Sequence, residues 1–195
     1  DLVWDGKRPQ AMRGIVGDDR VIYVGSFSKS IAPAVRLGYI VANWPVMSRI
    51  LPLKTDSGTG AIDQMVLAEF CEARFDDHVG ALRKVLKRKL GVLTEAVSAN
   101  FGTAAEFDVP DGGIFLWIKL PDTVDTLKLF QAAGKEGVSL NPGAEWSVDP
   151  VHGKSRLRLC FANPTEQVIR EGVAKLAEIC NREFGVPTRI ANVGR

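Results

Sequence analysis

The sequence predicts an α/β protein followed by a smaller α+β unit. Three observations carry this. Short β-branched runs near the start end at Gly or Pro, as strands do. The middle of the chain holds long apolar stripes at helical spacing. Beyond about residue 100 the rhythm changes to single strands separated by helices, one of which alternates strictly.

Val21 to Gly25 reads as a buried strand, followed by the polar turn Ser26 to Ser30. Leu37 to Ala42 is a second strand, broken by Asn43-Trp44-Pro45, and Val46 to Leu51 a short helix stopping at Pro52. From Ala61 to Phe75, Ile62, Met65, Val66 and Phe70 form one helical stripe. After Asp76-Asp77 a second helix presents Leu82, Leu86, Leu90, Leu93 and Val97, and ends at Phe101-Gly102. A boundary between two structural units is expected within this helix. Gly113 to Leu120 is a strand, Thr123 to Ala133 a helix, and Val138 to Leu140 a short strand closed by Asn141-Pro142-Gly143. In Ser155 to Phe161, Leu157, Leu159 and Phe161 face one way, and Arg156, Arg158 and Cys160 the other. Asn163-Pro164-Thr165-Glu166 reads as a helix start, with Asn163 as cap. The final helix carries Ile169, Val173, Leu176, Cys180 and Phe184, and residues beyond Gly185 read as a frayed tail.

The 195 residues carry a formal net charge of +2, so there is no global electrostatic case for nucleic acid. The most basic stretch, Arg83-Lys84 with Lys87-Arg88-Lys89, is interleaved with leucines at helical spacing and reads as a solvated helix face. No apolar run approaches the ~18 residues of a membrane span, and no basic segment opens a signal peptide. Cys71, Cys160 and Cys180 are scattered among apolar neighbours and read as buried free thiols, which suits a cytoplasmic protein. His78, at an expected helix start, and His152, in a Gly-flanked loop, lack metal-ligand spacing. Trp44, Trp117 and Trp146 read as core or rim, with Trp146 a candidate for lining a substrate pocket because it follows the Pro-Gly turn.

Chemistry concentrates around Lys29. Ser26 and Ser28 precede it just past an expected strand, and Arg36 follows seven residues later at the mouth of the next. Hydroxyls, turn amides and a guanidinium make a cradle for an anion. On residue types alone the lysine has three readings: a hydrated surface charge, a counter-charge to bound phosphate, or an amine that forms an imine. The G-x-x-x-x-G-K-[ST] spacing of a P-loop is absent, and no G-x-G-x-x-G occurs. Pyridoxal 5'-phosphate (PLP) needs a lysine amine and a separate phosphate anchor, and Lys29 with Ser26, Ser28 and Arg36 meets both needs.

The run Gly25-Ser26-Phe27-Ser28-Lys29-Ser30-Ile31-Ala32-Pro33-Ala34-Val35-Arg36-Leu37-Gly38-Tyr39-Ile40 resembles the cofactor-lysine motif of the class I/II, fold type I, PLP-dependent aminotransferases. It is most similar to the 2-aminoadipate and kynurenine-type branch and to the aminotransferase-like domains of GntR-type regulators. The resemblance implies that Lys29 holds PLP as a Schiff base and transfers the catalytic proton, while Ser26, Ser28 and Arg36 hold the phosphate. Ala34 departs from the glycine of many relatives. Pro110-Asp111-Gly112-Gly113-Ile114-Phe115-Leu116-Trp117 resembles the family's P-x-G-G-x-F-x-W segment, and Asn141-Pro142-Gly143 its Pro-Gly turn near the substrate. Arg156-Leu157-Arg158-Leu159-Cys160-Phe161-Ala162 resembles the strand bearing the substrate-carboxylate arginine, which assigns that role to Arg158.

By the same resemblance, residues 1–85 are the end of the large PLP-binding domain, 86–185 a small C-terminal domain, and 186–195 a tail. The family's Asp partner of the pyridine nitrogen is expected upstream of Asp1, because Leu2-Val3-Trp4-Asp5-Gly6 resembles the segment just after that Asp. The chain therefore reads as the second half of a protein of about 400 residues, homodimeric when whole. Its expected substrates are an amino acid and a 2-oxo acid. The alternative is the PLP- and effector-binding module of a regulator, with nucleic acid a partner only if a DNA-binding domain lies upstream.

Overall fold

The computed structural model describes residues 1–4, 8–17 and 20–188; Asp5 and Gly6 of the opening motif, and residues 189–195 of the expected tail, lie outside the described residues. The chain divides into two compact units, 1–84 and 85–195. Among the described residues, no helix is long and apolar enough to cross a membrane.

The first unit contains α1 (Met12–Val16), β1 (Tyr23–Ser26), β2 (Gly38–Val41), α2 (Trp44–Ile50) and the N-terminal portion of α3 (Ala61–Phe101). β1 and β2 pair antiparallel, with Tyr23 opposite Val41 and Ser26 opposite Gly38. Tyr39 covers Gly25, where a Cβ would overlap its ring, and packs on Tyr23 and Phe27 at 5.8 and 5.4 Å between ring centroids. Arg13 ties α1 to the strands' approach by donating to the Val21 carbonyl at 2.5 Å and to Asn43 Oδ1.

The expected burial of this first strand is not observed. Val24 is 69% exposed and all four residues of β2 are exposed. Two strands alone leave both faces of a sheet open. Among the described residues of 1–84, the buried apolar side chains are Leu37, Leu67 and Val79. Ile62, Met65 and Val66, expected on an inner stripe, are likewise exposed. The strand ends before Asn43 as expected, but α2 begins at Trp44, two residues ahead of the expected Val46, because proline fits the first turn, where its missing N–H costs nothing.

Asp76-Asp77 does not separate a pair of helices; α3 is continuous over 41 residues. Asp is only modestly unfavourable inside a helix, and neither glycine nor proline stands beside the pair. His78 is consequently inside the helix, with its ring edge on Phe70 at 5.4 Å. The basic stretch is partly engaged. Arg83 donates to the Asp1 carbonyl at 2.7 Å, Arg88 pairs with Glu166 at 2.5 Å, and Lys89 donates to the Ala162 carbonyl at 2.8 Å.

The second unit takes the rest of α3, then β3 (Phe115–Lys119), α4 (Thr126–Lys135), β4 (Asn141–Pro142), α5 (Pro150–Gly153), β5 (Arg156–Cys160) and α6 (Glu166–Phe184). β5 lies between β3 and β4, antiparallel to both. Gly113 precedes β3 at φ 91°, a left-handed conformation that favours glycine. Leu116 and Ile118 sit opposite Leu159 and Leu157, and all four are buried. The core is completed by Leu86, Leu90, Leu93 and Val97 of α3, Leu129 and Ala133 of α4, and Ile169, Val173, Leu176 and Cys180 of α6. Each fully buried leucine contributes roughly 1.5–3 kcal/mol. The opposite face carries Phe115, Trp117, Arg156, Arg158 and Cys160, so the alternation expected of this strand is observed.

Four local expectations change here. Residues 138–140 are not a strand, because the Val138 N–H is taken by the Ala133 carbonyl at the end of α4; pairing begins only at Asn141. Thr165, not Asn163, caps α6 by accepting the Val168 N–H at 3.3 Å. Val186 is buried, and its carbonyl accepts from Asn181 at 2.8 Å, so the chain is packed past Gly185. Cys160 is exposed, since the face it shares with Arg158 is not the core face.

Candidate active-site residues

Lys29 lies in the turn after β1 and is exposed. The turn is built by short-range bonds: Ser26 Oγ accepts the Ser28 N–H at 3.2 Å, and the Ile31 N–H reaches the Phe27 carbonyl at 2.9 Å. Ser26 and Ser28 are thereby brought together. The Phe27 N–H donates to the Leu37 carbonyl at 3.2 Å, which carries the backbone next to Arg36 alongside the turn.

Arg36 follows a 3-10 turn, Pro33–Val35, and adopts φ 50°, ψ 32°. A left-handed arginine costs on the order of 1–3 kcal/mol and persists only where its surroundings over-determine it. Its Nη1 donates to the Pro33 carbonyl at 3.1 Å, leaving further guanidinium donors for a ligand. Ser30 Oγ is buried and has no hydrogen-bond partner among the described residues. An orphaned hydroxyl costs about 1–3 kcal/mol until a partner arrives. Two hydroxyls, a guanidinium with spare donors and an exposed amine form a donor set that fits a phosphate monoester bearing an aldehyde.

Arg158 belongs to the second unit, at the middle of β5, opposite Trp117 on one side and Asn141 on the other. Its side chain is enclosed by groups that sequence reasoning did not assemble. Its Cζ is 3.8 Å from the centre of the Phe115 ring and 3.5 Å from that of Trp146. Its Nη2 makes a long, 3.5 Å, contact with Asn141 Oδ1. Its Nε is buried without a hydrogen-bond partner among the described residues. Arg156, two residues away on the same face, is spent on the His152 carbonyl at 2.8 Å. His152 itself lies in α5 and not in a loop. The available signal for this cluster was strand pairing: Phe115 is diagonal to Arg158 across β3 and β5, within reach of long side chains.

Three comparisons place the chain among known proteins. The family Aminotransferase class I and II matches residues 1–176. An uncharacterized aminotransferase of Saccharolobus solfataricus is 30% identical over 94% of this chain and 46% of its own length. The HTH-type transcriptional regulator NorG of Staphylococcus aureus is 32% identical over 80% of this chain and 36% of its own length. The α-aminoadipate aminotransferase LysN of Thermus thermophilus, solved with N-(5'-phosphopyridoxyl)-L-leucine, superposes with a TM-score of 0.85 at 26% identity, over 95% of this chain and 49% of that one. The chain thus spans half or less of the length of each.

Proposed function

The chain belongs to the class I and II aminotransferase family, and we propose that it carries the cofactor lysine and the substrate-carboxylate arginine of a PLP-dependent enzyme. That enzyme would move an amino group from an amino acid to a 2-oxo acid, as a cytoplasmic homodimer. The reading rests on the turn at Lys29, where the Ser26–Ser28 bond and the strained Arg36 flank an exposed amine.

Bound PLP would supply an electron sink for negative charge at the substrate's α-carbon. Lys29 Nζ would hold the cofactor covalently. Once displaced by the substrate amine, the same nitrogen would take the α-proton and deliver it to the cofactor carbon that had been the aldehyde. Ser26 and Ser28 hydroxyls and the Arg36 guanidinium would anchor the phosphate, charge-assisted bonds being about twice as strong as neutral ones. Arg158 would grip the substrate carboxylate by two parallel N–H···O bonds, which fixes orientation as well as position.

A second reading has support in NorG, a regulator similar to most of this chain. There the same residues would bind cofactor and effector without turnover.

The test uses the protein expressed from its whole gene. It should show the visible absorbance of lysine-bound PLP, lose it in Lys29→Ala, and change it when amino acids are added. In Arg158→Ala the absorbance should survive while the amino-acid concentration needed rises at least ten-fold. Absence of bound PLP in the wild type would refute the proposal. Amino-acid binding without formation of a 2-oxo acid would select the regulator.

A further inference from the structure

We propose that Trp146 is a positioning residue for carboxylate binding: with Phe115 it clamps the guanidinium of Arg158 so that only the end of its fork is open. The proposal rests on Arg158 being the carboxylate site, and adds how that arginine is held and which ligand geometry it accepts.

Two ring centres lie within 3.8 Å of one guanidinium carbon. Aromatic rings keep their own centroids about 4.5 Å or more apart, so both cannot share one approach. They take separate directions toward the cation. The in-plane side at Nε is closed as well, because that atom is buried. Asn141, directly opposite in the β4–β5 register, holds Nη2 by its 3.5 Å contact. What remains is Nη1 and the second N–H of Nη2, a pair of donors that matches the two oxygens of a carboxylate.

The clamp's second wall is set by the turn that precedes it. Trp146 follows the 3-10 turn Gly143–Glu145 and donates its N–H to the Gly143 carbonyl at 3.0 Å. That turn lies flat on the backbone before β5: a Cβ on Gly143 would stand 2.6 Å from the Gly153 carbonyl oxygen. The indole is therefore carried on a pinned turn, while 54% of the residue stays exposed. Phe115 is the half-buried, fixed wall on β3.

The cation–π contact is part-desolvated, Arg158 Nε being buried and the indole half exposed, so losing one wall should weaken a carboxylate by several-fold, up to about ten-fold. The probes are hexanoate and its neutral amide, hexanamide, titrated calorimetrically into the full-length holoprotein. Trp146→Leu should lose about three- to ten-fold in hexanoate affinity with hexanamide unchanged, and Trp146→Phe should recover most of the loss. In an Arg158→Gln background, Trp146→Leu should have no further effect.

Equal losses for acid and amide would make Trp146 an apolar wall and overturn the clamp. An unchanged hexanoate affinity in Trp146→Leu, with the melting temperature preserved, would overturn it too. If Arg158→Gln keeps the preference for acid over amide, the carboxylate binds elsewhere, and the assignment of Arg158 fails before the clamp does.

Discussion

Gly143→Ala tests the packing that carries Trp146. Its backbone is outside the left-handed region, so alanine meets no conformational penalty there. The obstacle is space. The added methyl would lie 2.6 Å from the Gly153 carbonyl oxygen and 2.7 Å from the Arg156 carbonyl carbon. Both are backbone atoms, and no side chain can rotate aside to relieve them. Overpacking of this kind costs about 1–3 kcal/mol, offset by about 0.4–1 kcal/mol for the less flexible unfolded chain. The net destabilisation is roughly 1–2 kcal/mol, or a few degrees in Tm. Gly134→Ala is the control. That glycine is exposed in α4 with nothing within 4 Å of a new Cβ, and alanine should stabilise the helix by about 0.5–1 kcal/mol. Thermal melts of the two variants should move in opposite directions, and only Gly143→Ala should weaken hexanoate binding. Should Gly143→Ala melt at or above the wild type, the contact with Gly153 and Arg156 is not rigid and the account of how Trp146 is held is wrong.

Two further predictions concern the second unit. Glu136, just past α4, accepts from Lys175 at 2.7 Å and Arg182 at 2.5 Å of α6, and these cations, Lys175 foremost, hold its carboxyl below the usual glutamate range. A depressed carboxyl stabilises the fold above its unfolded-state value, and that contribution is lost as pH falls through the folded-state value. The wild-type Tm should therefore fall further between pH 6 and pH 3 than that of Glu136→Gln. Burial pushes the Cys180 thiol up to about 12, whereas Cys160 is exposed. A thiol reagent at pH 8 should thus modify Cys160 in the folded protein and reach Cys180 only on unfolding, as peptide mapping would report.

What was legible in the sequence depended on where each side chain finds its neighbours. The alternation of β5 was readable because both the sheet and the helices that bury Leu157 and Leu159 lie within the same hundred residues. Val24 and Ile62 carried equally good strand and helix signals, yet both are exposed. A periodic pattern states which face wants burial but not whether this stretch of chain supplies the cover. Residues 138–140 failed differently. Val138 and Leu140 alternate about Ser139 as a strand would, but strand identity is settled by lateral hydrogen bonds, and the end of α4 takes the Val138 N–H first. Asp76-Asp77 read as a break through composition alone, while the helix continues because Val79, Leu86 and Leu90 keep their burial in phase.

The candidate sites divide along the same line. Lys29, Ser26, Ser28 and Arg36 fall within eleven consecutive residues, so their grouping needs only a local turn, and a contiguous motif discloses it. Arg158 could be singled out from its alternation and neighbours, but its environment could not. Asn141, Phe115 and Trp146 come from β4, β3 and the turn after β4, and reach Arg158 only through two strand registers and one glycine-to-glycine contact. Direct cross-strand pairing would have nominated Trp117, which is opposite Arg158, over Phe115, which is diagonal to it. The guanidinium lies against the diagonal ring, where Trp146 meets it from the turn as well. One partner across the sheet would orient the arginine's stem; two aromatic walls from separate elements orient its fork, which in the proposed role is the part a carboxylate would read.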